Sequence, residues 1–135
     1  MSNIRKLPLP SWFNDVRQGV CRWCNCSIGL TPSGRESKAT WHAHCVKEYR
    51  FLHWPSEQRR VVARRDRHIC ATCGVNCRSA WDLDHIRPLW ESGGDPSFWQ
   101  LSNMQTLCRP CHKVKTSLEA KRRAATRKAE MEKLV

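Results

Sequence analysis

The chain has 135 residues, 24 Lys and Arg against 12 Asp and Glu, a formal net charge of +12, and nine cysteines. That length admits one ordinary domain or two small ones, and no segment approaches the ~20 apolar residues of a membrane span. Leu7-Pro8-Leu9-Pro10 follows the basic start where a secretory signal would place an apolar run, so a cytoplasmic, reducing setting is expected. There an odd cysteine count reads as metal ligation rather than disulfide framework. Domains below about 70–80 residues usually need such a staple.

Residues 1–20 carry two close prolines and then Trp12 and Phe13, which predicts an extended arm docked through its aromatics. Cys21-Arg22-Trp23-Cys24 opens a first module. Gly29, Pro32, Ser33, Gly34 and Ser37 predict a hairpin or long loop after it. Trp41-His42-Ala43-His44-Cys45 leads into Val46, Tyr49 and Leu52, whose spacing predicts a short amphipathic helix ended by Pro55. Ser56 is the expected cap of a second helix over 57–67, with Val61 and Val62 inward and arginines crowding the rest. Next comes Cys70-x2-Cys73. The alternation of Ala80-Trp81-Asp82-Leu83-Asp84-His85-Ile86 predicts a strand. Gly93-Gly94-Asp95-Pro96 marks a turn, and residues 101–107 run up to Cys108. A long helix is expected from Pro110 past residue 121, because proline suits a first helical turn. The tail beyond 122 is helix-prone but has a weak apolar stripe, so it is expected to order on a partner. The implied divisions are an arm at 1–20, a zinc module at 21–54, a second domain at 55–122 and a basic helical tail at 123–135.

The two halves share a plan: a Cys-x2-Cys knuckle, a connecting segment, and a ligand pair at a helix start. It is the plan of a treble-clef zinc module. Cys70, Cys73, Cys108 and Cys111 offer four soft thiolates in two pairs, which suits one tetrahedral zinc. Cys21, Cys24, His42 and Cys45 form a second structural zinc set. His42 is preferred because x2 spacing lets both groups of a pair point at one ion, with His44 and Cys26 as possible replacements. Cys77 has no obvious partner.

Closing the first set with four thiols leaves Asp84, His85 and His112 for a different site. Structural zinc sites are closed by four ligands; catalytic metal sites keep a position open. Hydrolysis of a phosphodiester needs a base for water and a cation for the growing negative charge. A neutral imidazole suits the first role, and an aspartate is a hard ligand for the second. Adjacent strand residues face opposite sides, which could put Asp84 on a metal and His85 on a water. His112 lies about 100° round the helix from Cys111 and can turn from the thiols toward Asp84. Basic residues cluster at 59–67 and 113–133, the footprint of a polyanion partner. Arg59, Arg60, Arg64 and Arg65, with Arg87, Lys113 and Lys115, are the candidate nucleic-acid contacts.

Residues 68–116 resemble the HNH endonucleases of the ββα-metal group. The match rests on Cys70-x2-Cys73, Asp84-His85-Ile86-x-Pro88, Gly93-Gly94, Leu101-Ser102-Asn103-Met104-x-x-Leu107-Cys108-x2-Cys111-His112 and Lys115-Thr116. The resemblance implies a small α+β fold, with two antiparallel strands and a helix around a metal, preceded by a smaller treble-clef-like zinc module. It implies that His85 is the general base and that Asp84 and His112 bind a catalytic divalent cation. Magnesium or manganese is the first expectation for that cation, nickel or zinc the alternative. Asn103 belongs to the catalytic set by bracing the hairpin loop, and Lys115 stands where family members often carry a basic residue near the phosphate. The expected activity is hydrolysis of DNA to 5′-phosphate and 3′-hydroxyl ends, as a nick or a double-strand break, by a monomer or homodimer. The competing expectation is a zinc protein that binds nucleic acid without cutting it; retention of Asp84, His85 and His112 argues against it.

Overall fold

Trp81, Leu83 and the residues opposite them give the chain its one regular sheet. A computed structural model describes residues 4–135. Its elements are α1 (Ala43–His53), α2 (Pro55–Asp66), β1 (Trp81–His85), β2 (Met104–Cys108) and α3 (Arg109–Glu132). β1 and β2 pair antiparallel, with Trp81 opposite Cys108, Asp84 opposite Gln105 and His85 opposite Met104. Three short 3-10 turns, Leu89–Glu91, Pro96–Trp99 and Leu101–Asn103, fill the connection between the strands.

The hairpin lies between two helices. Val62 of α2 packs with Trp81, Met104, Leu107, Cys70, Cys77 and Cys108 in the main core. On the other side α3 lies along β1, facing Asp82 and Asp84. A second cluster joins Leu7 of the arm to Leu52 of α1 and to Phe98 and Trp99, and Phe51 packs against both clusters. The arm's Phe13 is buried, stacked on Tyr49 at 5.6 Å between ring centroids and edge-on to Trp41 at 5.9 Å. Trp12 stays partly exposed, donating its Nε1–H to the Trp23 carbonyl. The arm is thus tied to both halves, by Phe13 to the first and by Leu7 to the second.

The two knuckles repeat in backbone detail. The Cys21 N–H donates to the Cys26 carbonyl and the Asn25 N–H to the Cys21 carbonyl; Cys70 with Val75, and Gly74 with Cys70, make the same pair of bonds. Asn25 and Gly74 both sit at positive φ, +61° and +74°. Glycine enters that region without strain, and asparagine is among the few other residues that tolerate it. Each knuckle is closed by a single antiparallel bridge, Val20 to Ser27 and Ile69 to Asn76.

One helix boundary differs from expectation. Ser56 does not cap α2; it lies inside the first turn, and Trp54 is the N-cap without a side-chain bond. Pro55 takes the first helical position, since its fixed φ suits it and its missing N–H costs nothing there. Trp54, extended as residues before proline are, is all that separates α1 from α2. The basic tail is helical as its composition suggested: α3 runs 24 residues, from Arg109 to Glu132, without a break at residue 122.

Asp66 ties α2 to β2. Its Oδ2 accepts from the Thr106 N–H at 3.1 Å and the Thr106 hydroxyl at 3.0 Å, while Arg65 chelates the same carboxylate. Those donors, Arg65 first, hold the carboxyl below its ordinary value of 3.8, although burial opposes them. A depressed carboxyl stabilises the fold above its unfolded value, and the contribution fades as pH falls through the folded one. Asp66→Asn should therefore cost about 1–2 kcal/mol at neutral pH, with the gap to the parent protein closing below about pH 4. Urea midpoints of both proteins across that range test it; a gap independent of pH would contradict the assignment.

Candidate active site and metal centres

Two ligand clusters come together as their spacing suggested. Cys70, Cys73, Cys108 and Cys111 bring one sulfur each within 4.8 Å of one another, and Cys21, Cys24, His42 and Cys45 do the same with three sulfurs and a ring nitrogen. Cys108 is at once the last residue of β2 and the N-cap of α3. His42 holds the same N-cap position on α1. Its Nδ1 lies 3.4 Å from Cys24 Sγ and 3.8 Å from Cys45 Sγ. Its Nε2 lies 3.1 Å from the Ser27 carbonyl. A proton on Nε2 satisfies that carbonyl and leaves Nδ1 free to ligate, the arrangement that fixes metal-binding histidines. His44 is exposed and stacks on the His42 ring at 5.1 Å.

Within each cluster one thiol is eased toward ionisation and another is held back from it. Burial works against ionisation of Cys70, yet the N–H groups of Cys73, Cys108 and Thr72 bring it down to about 6. The hydrogen bond to Cys108, with burial, pushes Cys111 up to about 12. In the first cluster Cys21 falls to about 6, bonded by the N–H groups of Cys24, His42 and Trp23 against the pull of burial. Burial and hydrogen bonds to Cys21 and Cys24 raise Cys45 to about 12. One divalent ion per cluster would remove the conflict, and the donor sets suit zinc. All nine cysteines are free of disulfides.

The third constellation is built by β1 and α3. Asp82 and Asp84, two apart on a strand, share the face toward α3. His112, on the first turn of α3, stands between them. Its Nδ1 is 3.2 Å from Asp82 Oδ2, and its Nε2 is 3.7 Å from Asp84 Oδ1. Asp84 is buried. Its other oxygen is fully engaged: Oδ2 accepts from Gln105 Nε2 at 2.9 Å and from Lys115 Nζ at 3.1 Å. Oδ1 is therefore the oxygen left to face His112. Oxygen and nitrogen ligands sit about 2.0–2.2 Å from a small divalent cation, so two of them 3.7 Å apart can share one. That donor set leaves most coordination positions to water or substrate.

His85 closes β1 on the opposite face of the pleat. Because β1 ends there, its ring borders the same cleft as Asp84 and His112, a hollow of about 260 Å³ also lined by Leu89, Trp90 and Arg123. Its Nε2 is buried and has no hydrogen-bond partner among the described residues. Burial lowers its pKa below the ordinary 6.5, with Lys115 adding to the shift and Asp84 opposing it. The ring is consequently neutral near pH 7 and able to accept a proton.

Asn103 holds the loop beside it. Its Oδ1 accepts from the Arg87 N–H at 2.8 Å, and its Nδ2 donates to the carbonyls of Arg87 and Phe98 at 3.0 and 2.8 Å. Its own carbonyl accepts from the Ile86 N–H. Lys115 is turned inward rather than toward solvent: Nζ also donates to the His85 carbonyl at 3.0 Å and pairs with Glu119.

The basic candidates are not equivalent. Arg65 donates to the carbonyls of Leu101 and Met104 as well as to Asp66, so its donors are taken within the chain. Arg59 lies over the Trp81 ring at 4.0 Å, and Arg60 pairs with Glu57. Arg87 lies over Phe98 at 4.1 Å and reaches Ser97. Arg64 and Lys113 are exposed, without a hydrogen-bond or ion-pair partner among the described residues. Asp82, Gln105 and Glu119 were missed from sequence. The period-2 pattern of β1 pointed to Asp82, whereas the other two need the strand register and the α3 face.

A two-stranded hairpin and a helix, stapled by four thiols and carrying an aspartate–histidine pair at a cleft, form a ββα-metal unit. The comparisons agree. The HNH endonuclease family model matches residues 70–118. A probable HNH endonuclease of Lactococcus phage SK1 is 39% identical over 93 residues, covering 65% of this chain and 81% of that protein. The DNA annealing helicase and endonuclease ZRANB3 of Mus musculus is 50% identical over 48 residues, 36% of this chain. ZRANB3 of Bos taurus is 41% identical over 126 residues, 84% of this chain. The chain spans only 4% and 10% of those two long proteins. No solved structure matches it. The chain belongs to the HNH endonuclease family.

Two outcomes follow from the geometry. Protein purified under reducing conditions should carry two equivalents of zinc, one released by Cys70→Ser and the other by Cys21→Ser, read by chelator titration. Asn103→Ala should cost about 3 kcal/mol, since it leaves the Arg87 N–H and the Phe98 carbonyl without their partner. It should keep both zincs, and thermal melting with metal analysis separates the two effects.

Proposed function

We propose that the chain is a metal-dependent endonuclease that hydrolyses DNA phosphodiester bonds, with His85 as general base and Asp84 and His112 as the ligands of a catalytic divalent cation. The observation that carries this reading is the shared cleft. A neutral imidazole, a free carboxylate oxygen and a second imidazole border one hollow open to solvent. A protein that only bound nucleic acid would need none of the three.

The chain's own residues divide the work. His85 takes the proton of the attacking water, and the Asn103 bonds fix the loop that follows it. Asp84 is oriented by Gln105 and Lys115, so that Oδ1 rather than Oδ2 is presented to the cation. Asp82 accepts from His112 Nδ1, which leaves Nε2 as the ligating nitrogen. A bound magnesium or manganese ion supplies charge neutralisation at the phosphate and the departing 3′ oxygen. The products would carry 5′-phosphate and 3′-hydroxyl ends. Arg64 and Lys113 are the readiest backbone contacts, and such contacts give affinity without direct base readout. Arg59, Arg60 and Arg87 could join them by leaving weak surface interactions. The two thiol-rich clusters are read as structural zinc sites, which fits a reducing, cytoplasmic setting. Among the described residues no helix is long and apolar enough to cross a membrane. The unit boundaries at residues 20, 54 and 122 belong to the same reading.

Cleavage of supercoiled plasmid with magnesium or manganese is the test. His85→Ala and His112→Ala should each lose about 100-fold or more in rate, while both proteins keep two zincs and an unchanged melting temperature. Equal cleavage by His85→Ala and the parent would remove the assigned base. Loss of zinc from His112→Ala would refute the separation of the two metal sites. DNA binding with no cleavage under any divalent cation would favour the non-catalytic alternative.

A further inference from the structure

Beside the catalytic cleft lies a second hollow that the reaction does not use. It measures about 220 Å³ and is lined by Trp90, Thr116, Glu119, Ala120, Arg123 and Arg127. Trp90, Glu119 and Arg123 line the cleft of Asp84 and His85 as well, so the two hollows adjoin across shared walls. The Trp90 ring is half-buried, with the guanidinium carbons of Arg122 and Arg123 at 5.6 and 5.7 Å from its centroid. Arg122 also pairs with Glu91 at 2.7 Å, which fastens the turn carrying Trp90 to α3. Arg123 has no ion-pair partner among the described residues, and its Nε is buried without an acceptor. Glu119, the acid of the hollow, is occupied by Lys115.

From this juxtaposition of a fixed indole wall, two arginines without ion pairs among the described residues, Arg123 and Arg127, and walls shared with the cleft, we infer that the hollow is a nucleotide subsite. It stacks one unpaired base on Trp90 and holds an adjoining phosphate on Arg123 and Arg127. The inference rests on the endonuclease reading and narrows its substrate class. An aromatic face can take a base only when that base has left its own stack. A continuous duplex presents base edges and phosphates, which the hollow's ring wall does not recognise. The favoured substrate is therefore DNA with a single-stranded or branched segment next to the scissile bond. Arg123 supplies positive charge at the side of the cleft away from His112, where a neighbouring phosphate would lie as the strand passes from one hollow to the other.

The test is fluorescence anisotropy with the zinc-loaded full chain carrying His85→Ala, so that DNA is not cut. Labelled duplex and branched oligonucleotides with equal numbers of phosphates are compared. Adding Trp90→Ala should weaken the branched DNA about tenfold and the duplex less than about twofold, while Trp90→Phe retains most of the affinity. Replacing successive bases of the branch with abasic sites should find one position that reproduces the loss. That abasic site should cost nothing further in the Trp90→Ala protein. Arg123→Ala should weaken the branched DNA and lower its salt dependence by about one ion. Equal weakening of duplex and branched DNA by Trp90→Ala overturns the subsite, as does indifference to every abasic position. Parallel cleavage by the protein with His85 intact separates the two readings. Cleavage without abasic sensitivity removes the subsite alone; abasic sensitivity without cleavage keeps the subsite and removes the nuclease.

Discussion

The angle at which α3 leaves β2 is the constraint on which the active site depends. Two five-residue strands make a sheet too small to stand alone in water. Cys108 ends one of them and caps α3 in the same residue, and its sulfur must meet those of Cys70, Cys73 and Cys111. One closed cluster of ligands therefore fixes knuckle, hairpin and helix relative to one another. His112 follows Cys111 directly, so the turn that directs one sulfur inward also directs an imidazole to Asp84. A shift of the helix start by one residue would rotate His112 about 100° away. The chemistry of the cleft is set by a staple that takes no part in it.

The same staple occurs twice with different consequences. Knuckle bonds, positive-φ residue, closing bridge and ligand at the helix N-cap all recur in the first module. What does not recur is the strand pair with carboxylates facing the helix. The corresponding stretch of the first module has a single bridge, Leu30 to Glu36, and no aspartate aimed at α1. Instead α1 packs Tyr49 and His53 against Trp23, Trp41 and Phe13. That module spends its helix face on aromatic packing, and through Phe51 and Leu52 it supports the loop of Phe98 and Trp99 behind Asn103.

The legible part of the site was what lies close together in the chain or repeats at fixed spacing. Paired cysteines, the Asp84-His85 step and the helix starts are local patterns. Long-range partners were not legible. Arg65 reads as one more basic residue of a charged helix, yet it bonds carbonyls 36 and 39 residues away. Lys115 reads as a phosphate contact from the family resemblance; only the fold reveals that Asp84 and Glu119 surround it. Leu7 carries no periodic signal, since a single buried residue in an arm has none. The helical tail was legible from composition although its apolar stripe is weak. Alanine, lysine, arginine and glutamate favour helix without needing burial, and that preference carried the helix to Glu132.

The charge distribution explains why such a site would need a cation. The chain carries +12 overall, yet Asp82 and Asp84 flank His112, and Glu119 stands on the cleft wall beside them. One of the three charges is offset by Lys115, which bridges Asp84 and Glu119. What is left beside His112 would oppose a phosphate approaching that point, although Arg5 and Arg123 line the same cleft. A divalent ion shared by Asp84 and His112 would reverse that local sign, and Arg123 extends the reversal along the cleft. Long-range attraction and local acceptance of the phosphate are thus separable. The first weakens as salt screens the surface, and on the proposed reading the second would follow the occupancy of one carboxylate–imidazole pair.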